Sequence, residues 1–153
     1  SELFDAVRAA ALGALAHAIE IEWSKADVIT DPAERARAQL SAVGAGYMGF
    51  AQEETGLFRT AFAPRQPQGA VESDPARTGS RGLGPFGLLN AALDAMVQAG
   101  VLPAERRPGA EYLAWSAVHG MALLIIDGPL RAASPEARAA LGKRLLHMVE
   151  QGI

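Results

Sequence analysis

Apolar residues recur along this chain at spacings of three and four, and alternation at every second position is absent. That pattern predicts helices and no strands, an all-α fold of about six helices. The first helix is expected from about Glu2 to Trp23, with Phe4, Val7, Leu12, Leu15, Ile19 and Trp23 near helical spacing among alanines. The second opens at Asp31-Pro32-Ala33-Glu34, where Asp31 suits the N-cap, Pro32 the first helical position and Glu34 a capping box, and runs to about Glu54. Within it Gly44, Gly46 and Gly49 would each cost about 1 kcal/mol relative to alanine, so another backbone or a bulky ring is expected to approach there. A short third helix, Leu57 to Ala63, follows Gly56. The fourth spans about Pro85 to Ala99, turns Phe86, Leu89, Leu93, Met96 and Val97 inward, and stops at Gly100. The fifth, Tyr112 to Ile126, is closed by Asp127-Gly128-Pro129, and the last starts at Ser134-Pro135-Glu136 with Leu141, Leu145, Met148 and Val149 as its stripe.

Between the third and fourth helices, residues 64–82 are rich in Pro, Gly, Ser, Gln and Arg, and Val71 is their one bulky aliphatic residue. That is too little apolar surface to offset the entropy of ordering, so the stretch reads as a mobile connector or lid between two halves of one domain, residues 1–153.

The fifth helix is apolar on both sides. Trp115 and His119, at i and i+4, share one face with Tyr112, Ala122 and Ile126, while Leu113, Ser116, Gly120 and Leu124 look the other way. A small domain cannot bury both faces, and no later element covers the last helix. A symmetric homodimer is therefore expected, with Leu113, Ala117, Gly120, Met121 and Leu124 packing alongside Leu141, Leu145 and Met148 against their two-fold mates.

Composition narrows the function. A chain of 153 residues, half of them hydrophobic and a fifth charged, suits one soluble core, and no apolar run approaches the ~20 residues of a membrane span. Acidic Glu2 and Asp5 stand where a secretory signal would be basic, and cysteine is absent, so the cytoplasm is the expected location. With a net charge of −3 and scattered arginines, the chain has no stripe of cations to hold duplex DNA. Catalysis has little to stand on. His17, His119 and His147 lack metal-site spacing, Ser116 near His119 has no third group for a triad, and the glycine-rich 79–84 stretch lacks a preceding strand and a phosphate-binding lysine. No enzyme and no cofactor is expected.

Three segments carry a family resemblance. Tyr112 to Ile126, with its Trp-x-x-x-His-Gly spacing, is similar to the signature helix of the WHG-type C-terminal domain of tetracycline-repressor-like (TetR) transcription regulators. Gly46 to Arg59 resembles the junction between two ligand-domain helices of that family, with Thr55 where proline is frequent. Ser1 to Val7 resembles the segment just after the DNA-recognition helix. The resemblance implies an effector-sensing and dimerisation domain, whose DNA binding would come only through an N-terminal helix-turn-helix head that these residues do not include. It also implies an internal pocket for a small hydrophobic or aromatic effector. Candidate linings are Tyr47, Met48, Phe50, Phe58, Phe62, Leu89, Asn90, Leu93, Met96, Tyr112, Trp115 and His119, with Asn90, Tyr112 and His119 orienting the ligand. The alternative is a purely structural dimerisation domain whose core is filled by those same rings.

Overall fold

Helix α2 (Pro32–Glu53) is the hub of the structure, because each of the other five helices packs against it. In this computed structural model, which describes residues 1–64 and 75–153, those helices are α1 (Glu2–Ser24), α3 (Thr55–Ala61), α4 (Pro85–Gln98), α5 (Ala110–Ile126) and α6 (Pro135–Gly152). Short 3-10 turns lie at Pro75–Arg77, Ala104–Arg106 and Pro129–Ala132, and no strand occurs among the described residues.

The predicted caps form. Asp31 accepts a hydrogen bond from the Glu34 amide at 2.8 Å, and Ser134 accepts one from the Ala137 amide at 3.1 Å. Gly100, at φ 76°, takes the left-handed conformation that ends α4. Thr55 does not extend α2. Its hydroxyl donates to the Ala51 carbonyl at 2.8 Å, and only Glu54 separates α2 from α3.

Leu15, Ile19, Phe58, Leu88, Leu93 and Met96 are the large side chains buried most completely, and they lie where α1, α3 and α4 converge on α2. The α1–α2 crossing is close because of Gly46. A Cβ there would stand 2.6 Å from the Ile19 Cα. Gly44 is filled instead by the tip of Leu146, an aliphatic side chain rather than a backbone or a ring, and Gly49 has nothing within 4 Å, so the expected close approach holds at Gly46 alone.

The connector expected to be mobile over 64–82 needs correction at its second half; residues 65–74 lie outside the described residues. Residues 75–82 are held along α1 by Glu20, which is only 9% exposed. Its carboxylate accepts from the Ser80 amide (2.9 Å), the Ser80 hydroxyl (2.6 Å) and the Arg81 amide (3.1 Å), and Gly79 has no space for a side chain against it. The glycine-rich stretch is thus an anion cradle, and the anion is the protein's own. Composition could not show this, because the partner is a single glutamate some sixty residues earlier.

Burial alone would raise the Glu20 pKa, but the Ser80 hydroxyl, the two amides and nearby His17 together hold it below 4.5, the ordinary glutamate value. A carboxylate with a lowered folded pKa contributes stability that is present above its unfolded value and lost as pH falls through the folded one. Glu20→Gln should therefore cost about 1.5–3 kcal/mol at neutral pH, the scale for hydrogen bonds to a charged group. The urea midpoints of the variant and the parent should converge below about pH 4.5.

Candidate functional site

Where α2 crosses α5, three polar side chains meet inside a cluster of rings. The Trp115 indole N–H donates to the Tyr47 hydroxyl oxygen at 3.1 Å, and that hydroxyl lies 2.6 Å from Nδ1 of His119. Indole can only donate, so the Tyr47 oxygen is the acceptor of that bond. The buried hydroxyl hydrogen then needs an acceptor of its own, and Nδ1 is the one beside it. The chain of bonds runs from Trp115 through Tyr47 to His119, which puts the imidazole proton on Nε2.

Phe58 and Phe62 enclose this relay. Phe58 meets the Tyr47 ring edge-on at 5.4 Å, and Phe62 lies 5.0 Å from Phe58 and 5.3 Å from His119. Phe86 of α4 stands edge-on to Trp115 at 4.4 Å. Such pairs contribute about 0.5–1.5 kcal/mol each beyond the area they bury. Burial pushes the Tyr47 hydroxyl above the ordinary phenol range although the Trp115 bond acts the other way, so it stays protonated.

Beside the relay is a small, partly open apolar cavity of about 30 Å³, bounded by Ile19 of α1, Gly44 and Tyr47 of α2, Leu89 of α4, Ala114 and Trp115 of α5 and Leu146 of α6. Of the predicted lining residues, Tyr47, Leu89 and Trp115 line it. Phe58, Phe62 and His119 form the second layer behind Tyr47, while Phe50, Leu93 and Met96 are buried in the core. Met48 faces a separate groove between α2 and α6.

Two polar candidates fall outside. Asn90 accepts from Arg107 at 2.9 Å, in a network where Arg107 also reaches Asp94 (2.8 Å) and Glu111 (2.9 Å) and ties α4 to the start of α5. Tyr112 is 65% exposed. The buried row of α5 is Ala114, Val118, Ala122 and Ile125; Trp115 sits at the edge of that arc, and Tyr112, about 60° further round, passes beyond it. Ser116 turns to its own helix, its hydroxyl donating to the Leu113 carbonyl at 3.0 Å. Phe86, a cavity-lining ring, is absent from the sequence-based candidates. Its helical position marked it as inward, but only the packing of α4 on α5 shows that it covers Trp115.

The opposite side of α5 is exposed at Leu113, Gly120 and Leu124 and half-buried at Ala117 and Met121. On α6, Leu141 and Leu145 are half-buried and Met148 is exposed; with Met121 they line an open apolar groove.

Burial holds His119 below 6.5, the ordinary imidazole value, so its neutral form is favoured in the fold. A base whose folded pKa is lowered stabilises the protein above its unfolded pKa, and that contribution is lost as pH falls through the folded value. The urea midpoint of the parent should decline as pH falls below about 6.5. His119→Gln should flatten that part of the curve, and unchanged curvature in the variant would contradict the assignment.

Comparison with known families matches residues 40–149 to a family described as "Tetracyclin repressor-like, C-terminal domain". No curated protein and no solved structure matches the chain. The matched span runs from Leu40 in α2 to Val149 in the last turn of α6 and includes every ring of the cluster.

Proposed function

The chain belongs to the tetracyclin repressor-like C-terminal domain family, and on that premise we propose that it senses a small, mainly hydrophobic effector and holds a transcription regulator together as a homodimer. The observation that carries this reading is the apolar cavity with Tyr47 and Trp115 in its wall. An apolar or aromatic compound that widens the cavity on binding gains from leaving water there, and the Tyr47 hydroxyl, oriented from behind by His119, supplies direction.

The cavity wall joins the two ends of the signal. Ile19 brings in α1, beside whose N-terminal end a DNA-binding head would sit in an intact regulator, and Leu146 brings in the seam helix α6. A ligand that prefers one arrangement of these helices shifts the populations of both. DNA contact belongs to the head alone, the place of work is the cytoplasm, and no described helix is long and apolar enough to cross a membrane.

A thermal-shift screen of small apolar and aromatic compounds tests the reading, since a ligand of the folded form raises the melting temperature with its concentration. His119→Ala leaves the Tyr47 hydroxyl without its acceptor, and should weaken a hit by about 1–3 kcal/mol with helix content intact. The narrowness of the cavity favours a second reading, a structural dimerisation domain with a filled core, since about 30 Å³ accommodates only a water or two. Under that reading no compound stabilises the fold.

A further inference from the structure

Leu146 borders two spaces at once. On one side is the cavity with Tyr47 and Trp115; on the other is a groove of about 330 Å³ between α2 and α6, lined by Met48, Gly49, Ile125, Arg138 and Lys143. The leucine tip stands where a Cβ on Gly44 would be, 2.1 Å from that position, so the bare glycine is what admits it. The inner space is too small for an effector, while the groove reaches the lower end of the ~300–1,000 Å³ usual for ligand sites. Leu146, a flexible side chain, is the lining residue the two have in common.

The groove is also charged in one sense. No carboxylate lines either space. Arg138 is half-buried and donates to the backbone carbonyls of Leu130 and Arg131, which fix its guanidinium without neutralising it. Lys143 is exposed, and neither cation forms an ion pair among the described residues. A fixed guanidinium and a mobile ammonium at the mouth of an apolar passage suit a carboxylate.

We infer that cavity and groove are the two ends of one binding site, joined when Leu146 changes rotamer, and that its ligand is an amphipathic carboxylate. The apolar chain passes Leu146 to lie against Tyr47 and Trp115, and the carboxylate sits at Arg138 and Lys143. This rests on the effector-sensing reading and adds to it a ligand class and a path. It also places the ligand against α6, whose Leu145 and Met148 belong to the outer apolar face.

Decanoate and 1-decanol, of equal chain length and kept below micellar concentrations, test it in ¹⁵N-labelled protein through the Trp115 Nε1–H resonance, with Trp23 as internal reference. At low salt decanoate should bind about tenfold more tightly than the alcohol, and Lys143→Gln should remove most of that preference. Leu146→Trp, which plugs the passage, should silence Trp115 for both compounds, while Leu146→Ala, a control for folding, should leave the response in place. Equal binding of acid and alcohol, or decanoate shifting Trp115 unchanged in folded Leu146→Trp, overturns the inference and leaves the sensing reading standing. If neither compound shifts Trp115 but a screening hit does, the inference again fails alone; if no compound of any class shifts it, both fail.

Discussion

A Met148→Glu variant should sediment as a folded monomer. Met148 is 62% exposed and Leu113 59% exposed, so each can be replaced by glutamate without entering the core of its own subunit. In the proposed seam each lies against the two-fold mate, and one substitution places two carboxylates in a dehydrated interface, where Arg144, one turn before position 148, offsets only part of the desolvation cost. Removing an unpaired charge from water costs several kcal/mol, enough to raise a dimer dissociation constant by orders of magnitude. Leu145, also in the seam, is a poorer test because it is half-buried inside the subunit, where a charge would damage the fold as well. Helix content should therefore be unchanged in Met148→Glu while the sedimentation coefficient drops. A variant that stays dimeric at micromolar concentration would rule out this seam.

Gly46→Ala should lower the melting temperature by several degrees, and Gly49→Ala, one turn on, should raise it slightly. The added methyl at 46 would meet the Ile19 Cα at 2.6 Å, the Ile19 nitrogen at 2.9 Å and the Ala18 carbonyl oxygen at 3.0 Å, all backbone atoms that cannot rotate away. Overpacking of this kind typically costs about 1–3 kcal/mol, and backbone neighbours put it at the upper end. The gain in helix propensity, about 1 kcal/mol, offsets only part. At Gly49 nothing lies within 4 Å, so the propensity gain stands alone. Because Ile19 and Tyr47 both line the cavity, the shift forced by Gly46→Ala should also impair effector binding. Equal melting temperatures for the two variants would show that the α1–α2 crossing is not set by Gly46.

Helix boundaries were legible where their signals are local and strong; Gly56, read as the break before the third helix, lies instead inside α3 (Thr55–Ala61), whose start has no side-chain cap. Asp31-Pro32, Ser134-Pro135 and Gly100 act within one turn, and each does in the structure what its chemistry predicts. Trp115, His119 and Tyr47 were also legible as polar-tipped rings that need partners. That they satisfy one another was not, since it depends on the angle and depth at which α2 crosses α5. Tyr112 shows the limit of periodicity. On a helix apolar all round, a residue at i−3 from Trp115 can fall on either side of the buried edge, and here it falls outside. Glu20 shows the limit of composition, for a glutamate inside a helix reads as solvated until the loop that covers it is in place.

An effector bound in the space beside Tyr47 and Trp115 would lie against the indole, so the Trp115 Nε1–H resonance reports its presence at close range. That proton sits on the relay itself, while Trp23, the other tryptophan, lies under Arg81 at the end of α1 and serves as an internal control. A compound that raises the melting temperature should shift the Trp115 resonance in proportion to occupancy and leave Trp23 in place. Stabilising compounds that move Trp23 alone, or neither tryptophan, would show that the effector binds elsewhere.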